Sequence, residues 1–163
     1  MTEAGGERMK TEKMKSRNIL IAVDASENAK RAVQYVGDFI GGLPGFHVTV
    51  LSIISEPAED YFVNAGERNA WVEKENTAAK RILDEYRQML IQAGFRNEDV
   101  TMQAAMKSCA SIAECIIEEQ KKFGCGTIVI GRRGISKKEE FMFGSTSTKI
   151  LHIAKDCSIW VIE

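Results

Sequence analysis

Gly131 and Gly134 are separated by two residues, Gly134 and Gly144 by nine, and Ser145, Thr146 and Ser147 follow the last glycine at once. Residues 127–130, Thr-Ile-Val-Ile, are a β-branched run that stops at Gly131, which reads as a buried strand bounded by a turn. Beyond Ser147, Ile150, Leu151 and Ala154 recur on one face of a helix. The order is strand, glycine turn, long loop, glycine–hydroxyl cluster, helix start. That order suits a phosphate-bearing anion. The first N–H groups of a helix have no acceptor within it, and its dipole favours negative charge there. Glycines let backbone approach a ligand, and hydroxyls add donors. Arg132, Arg133, Lys137 and Lys138 bring positive charge. The stretch is not a Walker loop, since no G-K-[ST] follows, and it is not a G-x-G-x-x-G turn. A plain strand–helix loop with a Ser/Thr cap would explain one glycine and a hydroxyl, but not the repeated glycine spacing.

Asp24 is the second candidate. It closes the apolar run 18–23, the kind of strand a sheet covered on both faces requires. Ser26 then offers an N-cap for a helix with Ala29, Ala32, Val33, Val36, Phe39 and Ile40 at helical spacing. A carboxylate at a strand's carboxyl end can accept hydrogen bonds from a ribose or an adenine edge. The plainer alternative is a local Asx turn.

The remaining elements must bring these two stretches together. Gly41-Gly42 and Pro44 end the first helix. Residues 47–55 read as a second strand with His47 at its entrance, to which no chemistry is assigned. Residues 56–69 read as a connection that could act as a lid. A long helix is expected from about Ala70, with Trp71, Ala78, Ile82, Tyr86, Met89, Leu90 and Ala93 as a core stripe, ended by Gly94. Residues 100–106 read as a third strand. Ser111-Ile112-Ala113-Glu114 matches a capping box that opens a helix running to about Phe123. After the fourth strand and the helix of about 145–154 comes a fifth strand: Cys157, Ser158, Ile159, Trp160, Val161 and Ile162. Alternation at these lengths predicts an α/β fold, a parallel sheet with helices on both faces.

The chain has 163 residues and a formal net charge of −1, which suits one domain and gives no bias towards nucleic acid or a membrane surface. No apolar stretch approaches the roughly 20 residues that span a bilayer, and the N-terminal residues do not read as a secretory or mitochondrial leader. Residues 1–16 read as a flexible polar tail before a domain at 17–163. The cysteines, Cys109, Cys115, Cys125 and Cys157, form no C-x-x-C and no zinc-like set with His47 or His152. They are expected to be small buried thiols in a reducing, cytoplasmic setting, with no metal site.

G-x2-G-x9-G-[ST], carried by Gly131, Gly134, Gly144 and Ser145, resembles the nucleotide motif of the universal stress protein family. The likeness extends to N-I-L-I-A-V-D-A-S-E-N-A at 18–29 and to C-S-I-W-V-I-E at the end, covering roughly 17–163. It implies a single-domain open five-stranded parallel sheet of order 3-2-1-4-5, like that of the adenine nucleotide alpha hydrolases. In that order strands one and four are neighbours and the winding reverses between them, a switch point where ligands bind. Asp24 and Gly131 would then flank one crevice.

The resemblance also implies ATP as ligand, with or without Mg2+, and AMP or ADP as alternatives. Ala22, Val23, Asp24 and Ile53 would take the base and ribose. Ile130, Gly131, Arg132 and Gly134 would line the run to the phosphates, which Gly144, Ser145, Thr146 and Ser147 would hold. Two departures stand out: Gly126 where an aspartate often precedes the fourth strand, and Arg132-Arg133 where Ser-His or Ser-Arg is more usual. The fifth strand is an apolar sheet edge without Lys or Pro, so a homodimer through it is expected, as in the family, with coverage of the edge by the N-terminal tail as the alternative. A stress-response regulatory role without catalytic residues follows. A weak ATPase or nucleotidyl-transfer enzyme, or a ligand-free dimeric interaction module, are the alternatives.

Overall fold

A computed structural model describes residues 17–133 and 144–163; the tail assigned to 1–16, Gly134, Lys137 and Lys138 lie outside the described residues. Among the described residues the strands are β1 (Asn18–Val23), β2 (His47–Ser55), β3 (Val100–Lys107), β4 (Thr127–Gly131) and β5 (Ser158–Ile162). They pair in parallel in the order β3-β2-β1-β4-β5, the order implied by the sequence motif. The helices between them are α1 (Glu27–Ile40), α2 (Ala65–Gln92), α3 (Ile112–Lys122) and α4 (Ser145–Ile153).

Strand alternation divides the core in two. Ile19, Ile21, Val23, Val48, Val50 and Val129 face α1 and α2, where Ala32, Val33, Val36, Leu83, Tyr86 and Leu90 cover them. Leu20, Leu51, Ile128 and Ile130 face α3 and α4, under Ala113, Ile116, Ile117 and Ile150. Burial on both faces explains why the central strands read as unbroken apolar runs rather than alternating ones.

Caps set the helix starts. Ser26 Oγ accepts Ala29 N–H at 3.1 Å and Ser111 Oγ accepts Glu114 N–H at 3.3 Å. The long helix begins at Ala65, not near Ala70. Asn64 Oδ1 accepts Glu67 N–H at 2.9 Å, and Glu67 Oε2 accepts Val63 N–H at 3.2 Å. This reciprocal cap carries the helix through Gly66 and Asn69. Its buried residues, Ala79, Leu83, Tyr86 and Leu90, all lie in the second half. The first half therefore shows no core stripe to mark it in the sequence. Gly94, at φ +109°, supplies the left-handed turn after it.

The expectation of four free thiols needs correction. Cys109 and Cys115 form a disulfide, with their Cα atoms 5.8 Å apart, which Cys125 and Cys157 do not join. The link joins the β3–α3 loop to the first turn of α3. A further tie joins the end of β3 to α3, Lys107 Nζ to Glu119 Oε1 at 2.8 Å and to Glu118 Oε2 at 3.0 Å. Closing so short a loop constrains the unfolded chain by about 2 kcal/mol. Melts with and without reductant are expected to differ by roughly 4–8 °C, with Cys109→Ser matching the reduced protein. Equal melting points would show that the link contributes nothing to stability.

Candidate functional site

The crevice is framed by β1 and β4, whose register pairs Ala22 with Ile130 and Ile21 with Val129. Their carboxyl ends therefore open side by side, and the two loops that leave them touch. Ser26 Oγ lies 3.5 Å from Arg133 O, a long contact that links positions 107 apart. Asp24 and Gly131 thus sit on adjacent loops at the point where the winding reverses.

Asp24 makes the Asx turn that the sequence allowed. Its Oδ1 accepts Ser26 N–H at 2.9 Å, which holds the carboxylate at the mouth of the crevice. The loop is also held from the opposite side. Tyr86, from the C-terminal half of α2, donates its hydroxyl to Asp24 O at 2.9 Å. Sequence reasoning placed Tyr86 in the core stripe, and it is buried there; nothing in the pattern of α2 marked its hydroxyl as a support for β1–α1. Its pKa is pushed up to about 12, first by burial and then by the negative charge of Asp24, Glu85 and Glu27. The folded value exceeds the ordinary 10.0, so folding favours the neutral phenol. That contribution is complete below pH 10 and is lost as pH rises from 10 towards 12. Tyr86→Phe is expected to cost about 1 kcal/mol at neutral pH and to flatten the alkaline limb of urea midpoint against pH. An unchanged limb would show that Tyr86 is not the group responsible.

Gly131 is required for packing. A Cβ there would stand 2.7 Å from the carbonyl carbon of Asn28 and 2.8 Å from its Cβ. The first turn of α1 therefore lies directly against the end of β4, an approach only glycine permits.

The residues proposed for the base, the ribose and the run towards the phosphates separate by face. Ala22, Ile53 and Ile130 belong to the α3/α4 side of the sheet, while Val23 is buried under α1 and α2. Beyond Ile53, the loop after β2 and the start of α2 enclose a recess of about 190 Å³. Phe62 and Trp71, with ring centroids 5.6 Å apart, and Arg68 and Ser108 are among its lining residues.

The phosphate end is built on α4. Gly144 is its N-cap, in an extended conformation with φ −68°. The amides of Ser145, Thr146 and Ser147 are the first-turn donors that have no acceptor within a helix. Ser145 is exposed and Thr146 half-buried. Ser147 is buried, and its hydroxyl faces two carbonyls, Arg132 O at 2.9 Å and Gly144 O at 3.0 Å. In this conformation Ser147 closes the loop ends rather than presenting its hydroxyl to the crevice. Gly144 N–H also donates to Arg132 O at 2.8 Å, so both ends of the central loop are pinned at Arg132. Among the described residues, no group of three His, Cys, Asp or Glu could hold a metal ion.

The model of the universal stress protein family matches residues 15–163. The chain belongs to the universal stress protein family. Among solved structures, hypothetical protein MJ0577 is 22% identical with a TM-score of 0.74, over 91% of this chain and 96% of that one. Universal stress protein UspA from Lactobacillus plantarum is 20% identical with a TM-score of 0.72, over 91% and 99%. A universal stress protein from Archaeoglobus fulgidus, solved in complex with dAMP, is 17% identical with a TM-score of 0.61, over 91% and 99%. At these identities the likeness establishes a shared universal stress protein fold. No curated protein matches the chain.

Proposed function

We propose that this universal stress protein binds ATP, with or without Mg2+ and with AMP or ADP as alternatives, and acts as a regulatory homodimer of the stress response in the cytoplasm. The observation that carries the reading is the meeting of the Asp24 loop with the β4 end at the reversal of strand winding, beside the open first turn of α4. Support comes from the Archaeoglobus fulgidus neighbour, solved with dAMP. Ala22, Val23, Asp24 and Ile53 would border the base and ribose. Ile130, Gly131, Arg132 and Gly134 would border the run to the phosphates. Gly144 and the amides of Ser145, Thr146 and Ser147 would receive the phosphates themselves. The described side chains near that end are hydroxyls, arginines and the Glu163 carboxylate, which is held in an ion pair by Arg132; this favours binding over turnover. Residues 1–16 would be a tail outside the binding domain.

The dimer reading rests on β5. It is the sheet edge beyond β4 and is only partly buried. Its Trp160 meets the exposed rings of Phe39 and Tyr35 edge-on at 5.7 and 6.2 Å. An apolar edge continued by an aromatic patch fits a second copy of the same chain. No helix among the described residues is long and apolar enough to cross a membrane.

Mass analysis of protein denatured after mild purification tests the reading. An adenine nucleotide released in proportion to protein is expected, together with a dimer by sedimentation. Release of a different ligand class from the intact protein would contradict it. Steady phosphate release, lost with changes in the phosphate loop, would favour an ATPase instead.

A further inference from the structure

Arg132 is tied to the edge strand as well as to the loop. Its N–H donates to Ile162 O at 2.6 Å, and its guanidinium forms an ion pair with Glu163. The register pairs Gly131 with Ile162, so Arg132 and Glu163 face each other one step further on. Ile130 and Val161, two residues before each, lie on the α3/α4 side. Alternation therefore sends both charged side chains to the side where α4 begins. Arg132 O, in turn, receives Gly144 N–H and Ser147 Oγ–H at the start of that helix. The guanidinium is only partly satisfied. Glu163 engages Nη2, whereas Nε is buried with no hydrogen-bond partner among the described residues. A buried donor on a charged group costs free energy until an acceptor reaches it. Arg132 is 27% exposed and Glu163 65% exposed, so the carboxylate can leave for water at little cost while the arginine stays.

We infer that Glu163 competes with the phosphates of a bound nucleotide for Arg132, and thereby sets how far the crevice prefers adenosine triphosphate over adenosine. The inference rests on the proposed nucleotide site and adds its specificity determinant. With Glu163 in place, Arg132 is neutralised and the carboxylate adds negative charge beside the α4 N-terminus. A phosphate chain offers the guanidinium a forked acceptor of higher charge. Adenosine offers none and leaves the pair alone.

Calorimetric titration of the full chain with adenosine, AMP and ATP tests this in wild type, Glu163→Gln, Arg132→Gln and the double variant. Glu163→Gln is expected to leave adenosine affinity unchanged. It should tighten ATP about threefold, as befits a half-solvated pair, and the gain should shrink at high salt. Arg132→Gln is expected to weaken ATP alone, and Glu163→Gln should add nothing in its background. An unchanged ATP-to-adenosine ratio in Glu163→Gln overturns the inference while leaving the nucleotide site intact. Equal changes for both ligands also overturn it, because they would make the pair a structural tie only. Absence of binding by all three ligands in wild type would remove the nucleotide site, and this inference with it.

Discussion

Alanine at Gly131 is expected to destabilise the protein by about 1–3 kcal/mol, the range for overpacking a filled site. The added Cβ would stand 2.7 Å from the Asn28 carbonyl carbon and 2.9 Å from its oxygen. These are backbone atoms, so rotamer changes give no relief and the first turn of α1 must shift. That turn carries the Ser26 cap, and the loop before it carries Asp24. The shift should therefore widen the crevice and weaken adenine-nucleotide binding along with stability. A melting point lower by roughly 3–10 °C is expected for a domain of this size. Melting within a degree of wild type would mean that α1 does not sit as close to β4 as described.

Valine at Gly144 is expected to act in the opposite proportion. Gly144 has φ −68° and ψ 161°, a conformation open to any residue, so no backbone strain follows. Its carbonyl accepts Thr148 N–H and its N–H donates to Arg132 O, bonds that valine preserves. Loss of a good N-cap residue costs at most about 1 kcal/mol. A β-branched side chain at the entrance to the first turn of α4, however, should stand where phosphates approach. ATP affinity is expected to fall at least about tenfold, equal to about 1.4 kcal/mol, with melting little changed. Retained affinity would place the phosphates away from α4.

The contrast between these glycines shows what the sequence could and could not reveal. Both were read as clearance for a ligand. Gly131 owes its identity to Asn28, a residue 103 positions earlier (131 − 28), brought close only by the crossing of α1 over β4. The bounds of β1 and β2 were legible because a sheet covered on both faces demands unbroken apolar runs. Asn64 and Glu67 cap the start of α2, but hydrophobic periodicity placed that start too late, because the first half of the helix buries no residue. The Cys109–Cys115 spacing matches no motif, and its closure depends on how the loop folds back on α3. Asp24 was placed by sequence at the right strand end. Its support from Tyr86, 62 residues away, and the tie of Arg132 to Glu163 are tertiary facts with no local signature.

The central claim is that the Asp24 loop and the open first turn of α4 together hold an adenosine phosphate. Titration calorimetry of ligand-stripped protein with ATP tests it most directly. The account predicts saturable binding heat for wild type that is sharply reduced in Gly144→Val, a variant that should remain folded. Absence of heat at millimolar ATP in folded wild-type protein, or equal heat in both proteins, would contradict it.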